Sequence, residues 1–176
     1  MKHEVWKPVV GYEGWYEVSN NGRLKRVKSA CGTFAGRILK PFLSKNTGYF
    51  QVDLFKSNSG KRRSVHCIVA ESFVGPSRGK EVNHIDGDKT NNEDSNLEYV
   101  TRSENTLHAY SLGLIPRGSK SHRSILTEVE VLEIKQLLGN ETHKVIAEKF
   151  NVTESTISAI SSGGNWLWLT QEGQYE

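Results

Sequence analysis

Residues 81–113 constrain this chain most. Two short runs, Glu81-Val82-Asn83-His84 and Leu97-Glu98-Tyr99-Val100, flank a polar stretch rich in Asn and Asp. Such runs predict two short strands closed by a long polar loop. A helix follows. Thr101-x-x-Glu104 is a capping box, in which each side chain satisfies the other residue's backbone N–H, and Gly113 is placed to end the helix. Asn105 and His108 are three apart within it and so share a face. Strand, loop, strand and helix can therefore direct His84, Asn96, Asn105 and His108 into one small pocket. The loop also has to be tested as a calcium site. Counted from Asp86, an EF-hand needs Gly at its sixth position and Glu at its twelfth, where this chain has Asn91 and Leu97, so that reading is rejected. Asn91 and Asn92 read as turn residues.

Composition narrows the partners. The net charge is only +3, but residues 1–63 carry 13 Lys and Arg against 4 Asp and Glu, a local +9. Residues 64–126 come to −1 and residues 127–176 to −5. A basic first third points to a polyanion. The two cysteines, Cys31 and Cys67, form no C-x-x-C pair, which excludes a four-ligand structural zinc of that kind and a disulfide framework. No apolar run approaches the roughly 18 residues of a membrane span, and no apolar signal region follows Met1.

Around the central segment the pattern is modular. Trp15–Ser19 alternates as a strand, Asn20-Asn21-Gly22 signals a tight turn of the primed kind, and Arg23–Lys28 returns as a strand basic on both faces. Tyr49–Phe55 alternates again and turns at Ser57–Gly60 into Lys61-Arg62-Arg63. Val65, Ile68, Val69 and Phe73 recur at helical spacing before Gly75-Pro76. Residues 116–124 form a Gly/Ser-rich basic stretch that reads as a linker. Three short helices follow, capped first by Thr127, and the second and third, separated by Asn151-Val152-Thr153, have helix-turn-helix spacing. Trp166 and Trp168 read as core residues of that module, with a stacking surface as the alternative.

Asn83-His84-Ile85-Asp86-Gly87-Asp88-Lys89-Thr90-Asn91-Asn92, then Asn96-Leu97-Glu98-Tyr99-Val100-Thr101, Glu104-Asn105 and His108-Ala109, closely resemble the phage and intron-encoded HNH endonucleases with a ββα-metal site. Gly11–Gly22 resembles the DNA-contacting module fused before that site in homing endonucleases, and Val65–Phe73 the segment that precedes it. The resemblance spans about residues 6–113. It implies that His84 is the general base that activates water, a task suited to a group that titrates near neutrality. It implies that Asn96 holds the loop and orients the imidazole. Asn83 and Asn105 would bind one divalent cation, Mg²⁺ being expected and Mn²⁺ or Ni²⁺ able to substitute. Many relatives have Asp or His where this chain has Asn83, and two neutral amides are weak ligands. Either DNA phosphate supplies the charge, or His108 or Asp86 joins the shell. His66 reads as a packing or hydrogen-bonding residue of the preceding segment and not as a catalyst.

The expectation is an α+β modular protein. Residues 1–63 form an antiparallel β arm, 64–113 the ββα-metal core, 114–124 a linker and 125–170 a three-helix helix-turn-helix. Double-stranded DNA would be held by Arg23, Lys25, Arg26, Lys28, Lys61, Arg62 and Arg63 of the arm, Arg117, Lys120 and Arg123 of the linker, and Ser155 and Thr156 of the last helix. The enzyme is expected to nick, as a monomer, in the cytoplasm of a bacterial or phage-infected cell. Two rivals remain: a non-catalytic phage DNA-binding regulator, and, for the acidic C-terminal helices, a protein-docking role.

Overall fold

A computed structural model describes residues 3–30 and 32–169. Cys31 and the last residue of the expected 125–170 module lie outside the described residues. The chain forms two compact units, Met1–Leu114 and Ile115–Glu176.

In the first unit, β1 (Trp6–Pro8), β2 (Tyr16–Ser19) and β3 (Leu24–Arg26) make one antiparallel sheet. Strand alternation turns Tyr16, Val18 and Leu24 inward, all essentially without exposed surface. The expectation of a strand basic on both faces is therefore corrected: Leu24 anchors the strand. The flanking cations instead lie on aromatic rings, Lys25 over Trp6 at 4.2 Å and Lys28 over Trp15 at 4.4 Å. The connecting turn is not of the primed kind either. Of Asn20, Asn21 and Gly22 only Gly22 has positive φ, 77°, whereas a primed turn of type I′ needs two such residues. That pattern appears instead at Ser57 and Asn58 (φ 50° and 62°). They join β5 (Phe50–Lys56) to β6 (Ser59–Ser64) in a second sheet whose edge is β4 (Phe42–Leu43). The short strands β1 and β4 carry no alternation long enough to read from sequence.

Helix α1 (Val65–Phe73) buries Val65, Ile68, Val69 and Ala70 at helical spacing and packs on strands of all three sheets. One hydrophobic core, from Val9 through Leu54 and Ile68 to Leu97, runs across residues 63 and 64. Tyr16 ties it together. Its buried hydroxyl donates to Phe55 O (3.2 Å) and accepts from Phe55 N (3.1 Å) and Arg26 Nη1 (2.8 Å). The third sheet is the hairpin β7 (Glu81–His84) and β8 (Leu97–Val100), with Asn83 opposite Glu98 and His84 opposite Leu97. Helix α2 (Arg102–Ser111) follows, its start closed by the Thr101–Glu104 capping box. It buries no residue fully, so its place depends on that cap and on contacts with β7.

The second unit contains α3 (Glu128–Leu137), α4 (His143–Lys149) and α5 (Glu154–Ser161), capped by Thr127, Thr142 and Thr153. Val131, Ile134, Ile146, Ala147, Ile157 and Ile160 form its core, with Trp166 and Trp168 packed against it. Asn151, at φ 53°, makes the sharp turn between α4 and α5. Part of the stretch expected as a linker is built into this unit. Arg117 lies over the Trp168 ring at 4.6 Å, and Ser119 N donates to Glu128 Oε1.

Candidate active site

His84 ends β7 and is buried, as is Asn83 before it. The imidazole stacks on Tyr49 (centroids 5.8 Å apart, planes 20° apart) and meets His66 edge-on at 5.1 Å. Its Nε2 lies 3.4 Å from Asn92 Oδ1. Burial pushes the His84 pKa down, partly opposed by the Asn92 bond and by Asp86 and Asp88. The ring is therefore neutral at neutral pH, as a base must be before it acts. The orientation of Asn92 settles the tautomer. Its Nδ2 donates to Thr90 O at 3.0 Å, so Oδ1 faces His84 and accepts from Nε2–H. Nδ1 is then the nitrogen that carries the free pair.

Sequence reasoning treats Asn92 as a turn residue, yet it is buried and touches the key histidine. Asn96 holds the loop: Oδ1 accepts from Asp86 N, and Nδ2 donates to Asp86 Oδ1 and Asn91 O. Asn92, not Asn96, contacts the imidazole. Asp86, offered as a metal ligand, is consumed in the same loop, since its carboxylate also accepts from Asp88 N and Asn91 Nδ2. Those bonds hold its pKa low.

On the helix side, His108 Nδ1 lies 3.1 Å from Asn83 Oδ1. Asn83 Nδ2 donates to Glu98 Oε1 (2.8 Å) and Asn105 Nδ2 to Glu81 Oε2 (3.0 Å). Two carboxylates thus engage the amide nitrogens, which turns the amide oxygens away from them: Asn83 Oδ1 meets His108, and both oxygens have lone pairs that could ligate a cation. No group of three or more His, Cys, Asp or Glu able to hold a metal occurs among the described residues. The set available is Asn83 Oδ1, Asn105 Oδ1 and the His108 imidazole, with Glu81 and Glu98 supplying negative charge behind the amides. Such a set fits a hard divalent cation that keeps part of its water shell. Glu81 and Glu98 were not singled out from the sequence. The register that sets Asn83 opposite Glu98 follows directly from the hairpin limits and is the signal that finds Glu98.

The proposed DNA contacts differ in availability. Arg23 pairs with Glu4, Lys25 with Glu17, Arg62 with Asp53 and Arg63 with Glu71. Arg63 is the most enclosed, its side chain only 16% exposed. Arg26 is engaged by Tyr16 and by Lys28 O. Lys28, Lys61, Lys120, Arg123 and Ser155 are exposed, and Thr156 is half-buried.

A buried histidine at a hairpin end, followed by a helix whose Asn105 and His108 engage Glu81 and Asn83 of the same strand, is the ββα arrangement of a nuclease. Residues 4–55 match the family described as NUMOD4 motif and residues 63–107 the family described as HNH endonuclease. The chain is 40% identical over 111 residues to DNA endonuclease I-HmuI of Bacillus phage SP01, covering 62% of this chain and 60% of that one. It is 41% identical over 182 residues to the uncharacterized HNH endonuclease L247 of Acanthamoeba polyphaga mimivirus, covering 99% of this chain and 41% of that one. A solved structure, described as DNA binding and cleavage by the HNH homing endonuclease I-HmuI, matches with TM-score 0.57 and 31% identity over 90% of each chain. The chain belongs to the HNH endonuclease family, and it spans less than two thirds of the two curated relatives named above.

Proposed function

We propose that this protein is a site-specific DNA endonuclease that hydrolyses one phosphodiester bond at a time, with His84 as general base. The observation that carries this reading is the buried His84 imidazole, met at Nε2 by Asn92 so that Nδ1 is left for water. Nδ1 takes the proton from an attacking water. Tyr49 and His66 line the ring and exclude bulk water from its faces. Asn96 ties the loop ends together, which keeps Asn92 and His84 facing each other. A divalent cation, Mg²⁺ with Mn²⁺ or Ni²⁺ as substitutes, would be held by Asn83, Asn105 and His108. When bound, it supplies the positive charge that stabilises the phosphate in the transition state and the leaving 3′ oxygen.

The basic arm grips backbone phosphates of double-stranded DNA. Lys28 and Lys61 are exposed and outside the ion pairs described above, and the surface ion pairs of Arg23 and Arg62 can be exchanged for phosphate at little cost, since exposed pairs are worth only about 0–1 kcal/mol. Ser155 and Thr156 near the start of α5 extend the contact. One Asn83-His84…Asn105 site serves one strand, which supports a nicking monomer. The Bacillus phage source of one relative supports work in the cytoplasm of a bacterial or phage-infected cell. The test is conversion of supercoiled plasmid to the nicked form by the full chain with and without Mg²⁺. Nicking that needs the metal is the expected result; binding without cleavage at any metal concentration sinks it in favour of a DNA-binding regulator.

A further inference from the structure

We propose that the turn of the N-terminal hairpin, Asn20–Gly22, is a positioning element for the active site: it seats Asn92, and Asn92 in turn holds the His84 imidazole. The proposal rests on the reading of His84 as the base. Two contacts tie the turn to the nuclease loop. Asp94 N donates to Asn20 O at 2.8 Å. Gly22 packs so closely that a Cβ there would lie 2.9 Å from Asn92 Cβ and 3.1 Å from Asn92 O. Gly22 has φ +77°, so its freedom from a side chain serves both the turn and this approach.

Asn92 is held in turn by few groups. Nδ2 reaches Thr90 O and Oδ1 reaches His84. The residue also borders a cavity of about 470 Å³ shared with Asn21, Gly22, Arg23 and Thr90. A displaced Asn92 therefore has open space to swing into, and the close contact that opposes this comes from Gly22. Loss of the Asn92 bond releases both the tautomer and the angle of the ring. The hairpin that precedes the nuclease core in sequence is in this way part of the catalytic geometry and not only a DNA contact. Both contacts lie within one unit of the chain.

The experiment uses the full chain in enzyme excess over supercoiled plasmid DNA in Mg²⁺. It reads the single-turnover rate constant, the half-saturating enzyme concentration and the melting temperature. Gly22→Ala and Asn92→Ala are each expected to lower the rate constant about 10- to 100-fold, the scale of small misplacements in an active site, with half-saturation unchanged. The double variant should fall no further than the worse single one, because both act through one contact. Gly14→Ala is the control: Gly14 has φ +73° with nothing within 4 Å, so it meets the backbone strain without the clash and should keep its rate while losing thermal stability. A folded Gly22→Ala protein that cuts within a few-fold of wild type overturns the proposal, and so do multiplicative losses in the double variant. If Gly22→Ala does not fold, Asn92→Ala decides, and an undiminished rate overturns it. His84→Ala separates the two claims: cutting by that variant defeats the base assignment, whereas its inactivity beside active Gly22→Ala and Asn92→Ala proteins defeats only the positioning role.

Discussion

His66 lies against Tyr49 at 4.4 Å with its Nδ1 buried and unpartnered. Burial, and then the neighbouring His84, push its pKa down from 6.5 to about 4. The unfolded chain binds a proton at this residue below about pH 6.5, while the folded protein resists it down to about pH 4. Stability from this group is therefore complete above pH 6.5 and lost as pH falls toward 4, by up to about 3 kcal/mol. The denaturation midpoint should drop between about pH 7 and about pH 5, and drop less in His66→Phe. His84→Ala should reduce cleavage about 10²- to 10⁴-fold while DNA affinity stays near wild type. Asn105→Ala should differ in kind: raising Mg²⁺ or Mn²⁺ partly restores cutting, because a ligand is lost and not the base. Cutting by His84→Ala at near wild-type rate would transfer the role to His108 or His66. At this scale the sequence shows residue types well and partners poorly. His84, Asn83, Asn105 and His108 stand out as chemistry, but Asn92 is indistinguishable from Asn91 until burial separates them.

Among the elements, α2 carries two candidate ligands yet buries no residue fully. Its orientation depends heavily on its N-terminal cap. Thr101→Ala removes the hydroxyl that accepts from Glu104 N and should cost about 1 kcal/mol. The expected signature is a higher Mg²⁺ concentration for half-maximal cleavage, and an unchanged metal requirement would show that the cap does not steer the site. Tyr16→Phe acts where two sheets meet. It leaves Phe55 N and Arg26 without the phenolic oxygen, and about 1–3 kcal/mol of stability should be lost, measurable as a lower denaturant midpoint. Strand and helix positions in the hairpin, α2 and the C-terminal helices are legible because capping signals and apolar spacing are local. The two-residue strand β4 and the true form of the Asn20–Gly22 turn are not. The turn packs against Asn92, far along the chain, and β4 is too short to show any alternation.

For the whole molecule, the arm and the nuclease hairpin share a hydrophobic core, and the helical unit has its own. A fragment ending at Leu114 should fold, bind its site more weakly and still cut at high enzyme concentration; a folded but inactive fragment would refute that division of labour. Affinity for DNA should fall with salt, each phosphate contact adding about 0.9 to the logarithmic slope. Lys28→Ala and Lys61→Ala should each flatten it by about 1, whereas Arg63→Ala, already committed to Glu71, should lower stability more than it changes the slope.

The core that crosses residues 63 and 64 also bears on descent. The boundary after Leu114 leaves each hydrophobic core whole, so chains of this kind can exchange their C-terminal helices there. A crossover between β6 and α1 would instead join halves whose side chains never fitted, with Val65, Ile68 and Val69 facing a foreign sheet. An N-terminal hairpin taken from another chain therefore has to be refitted to α1 before the cutting centre keeps its support.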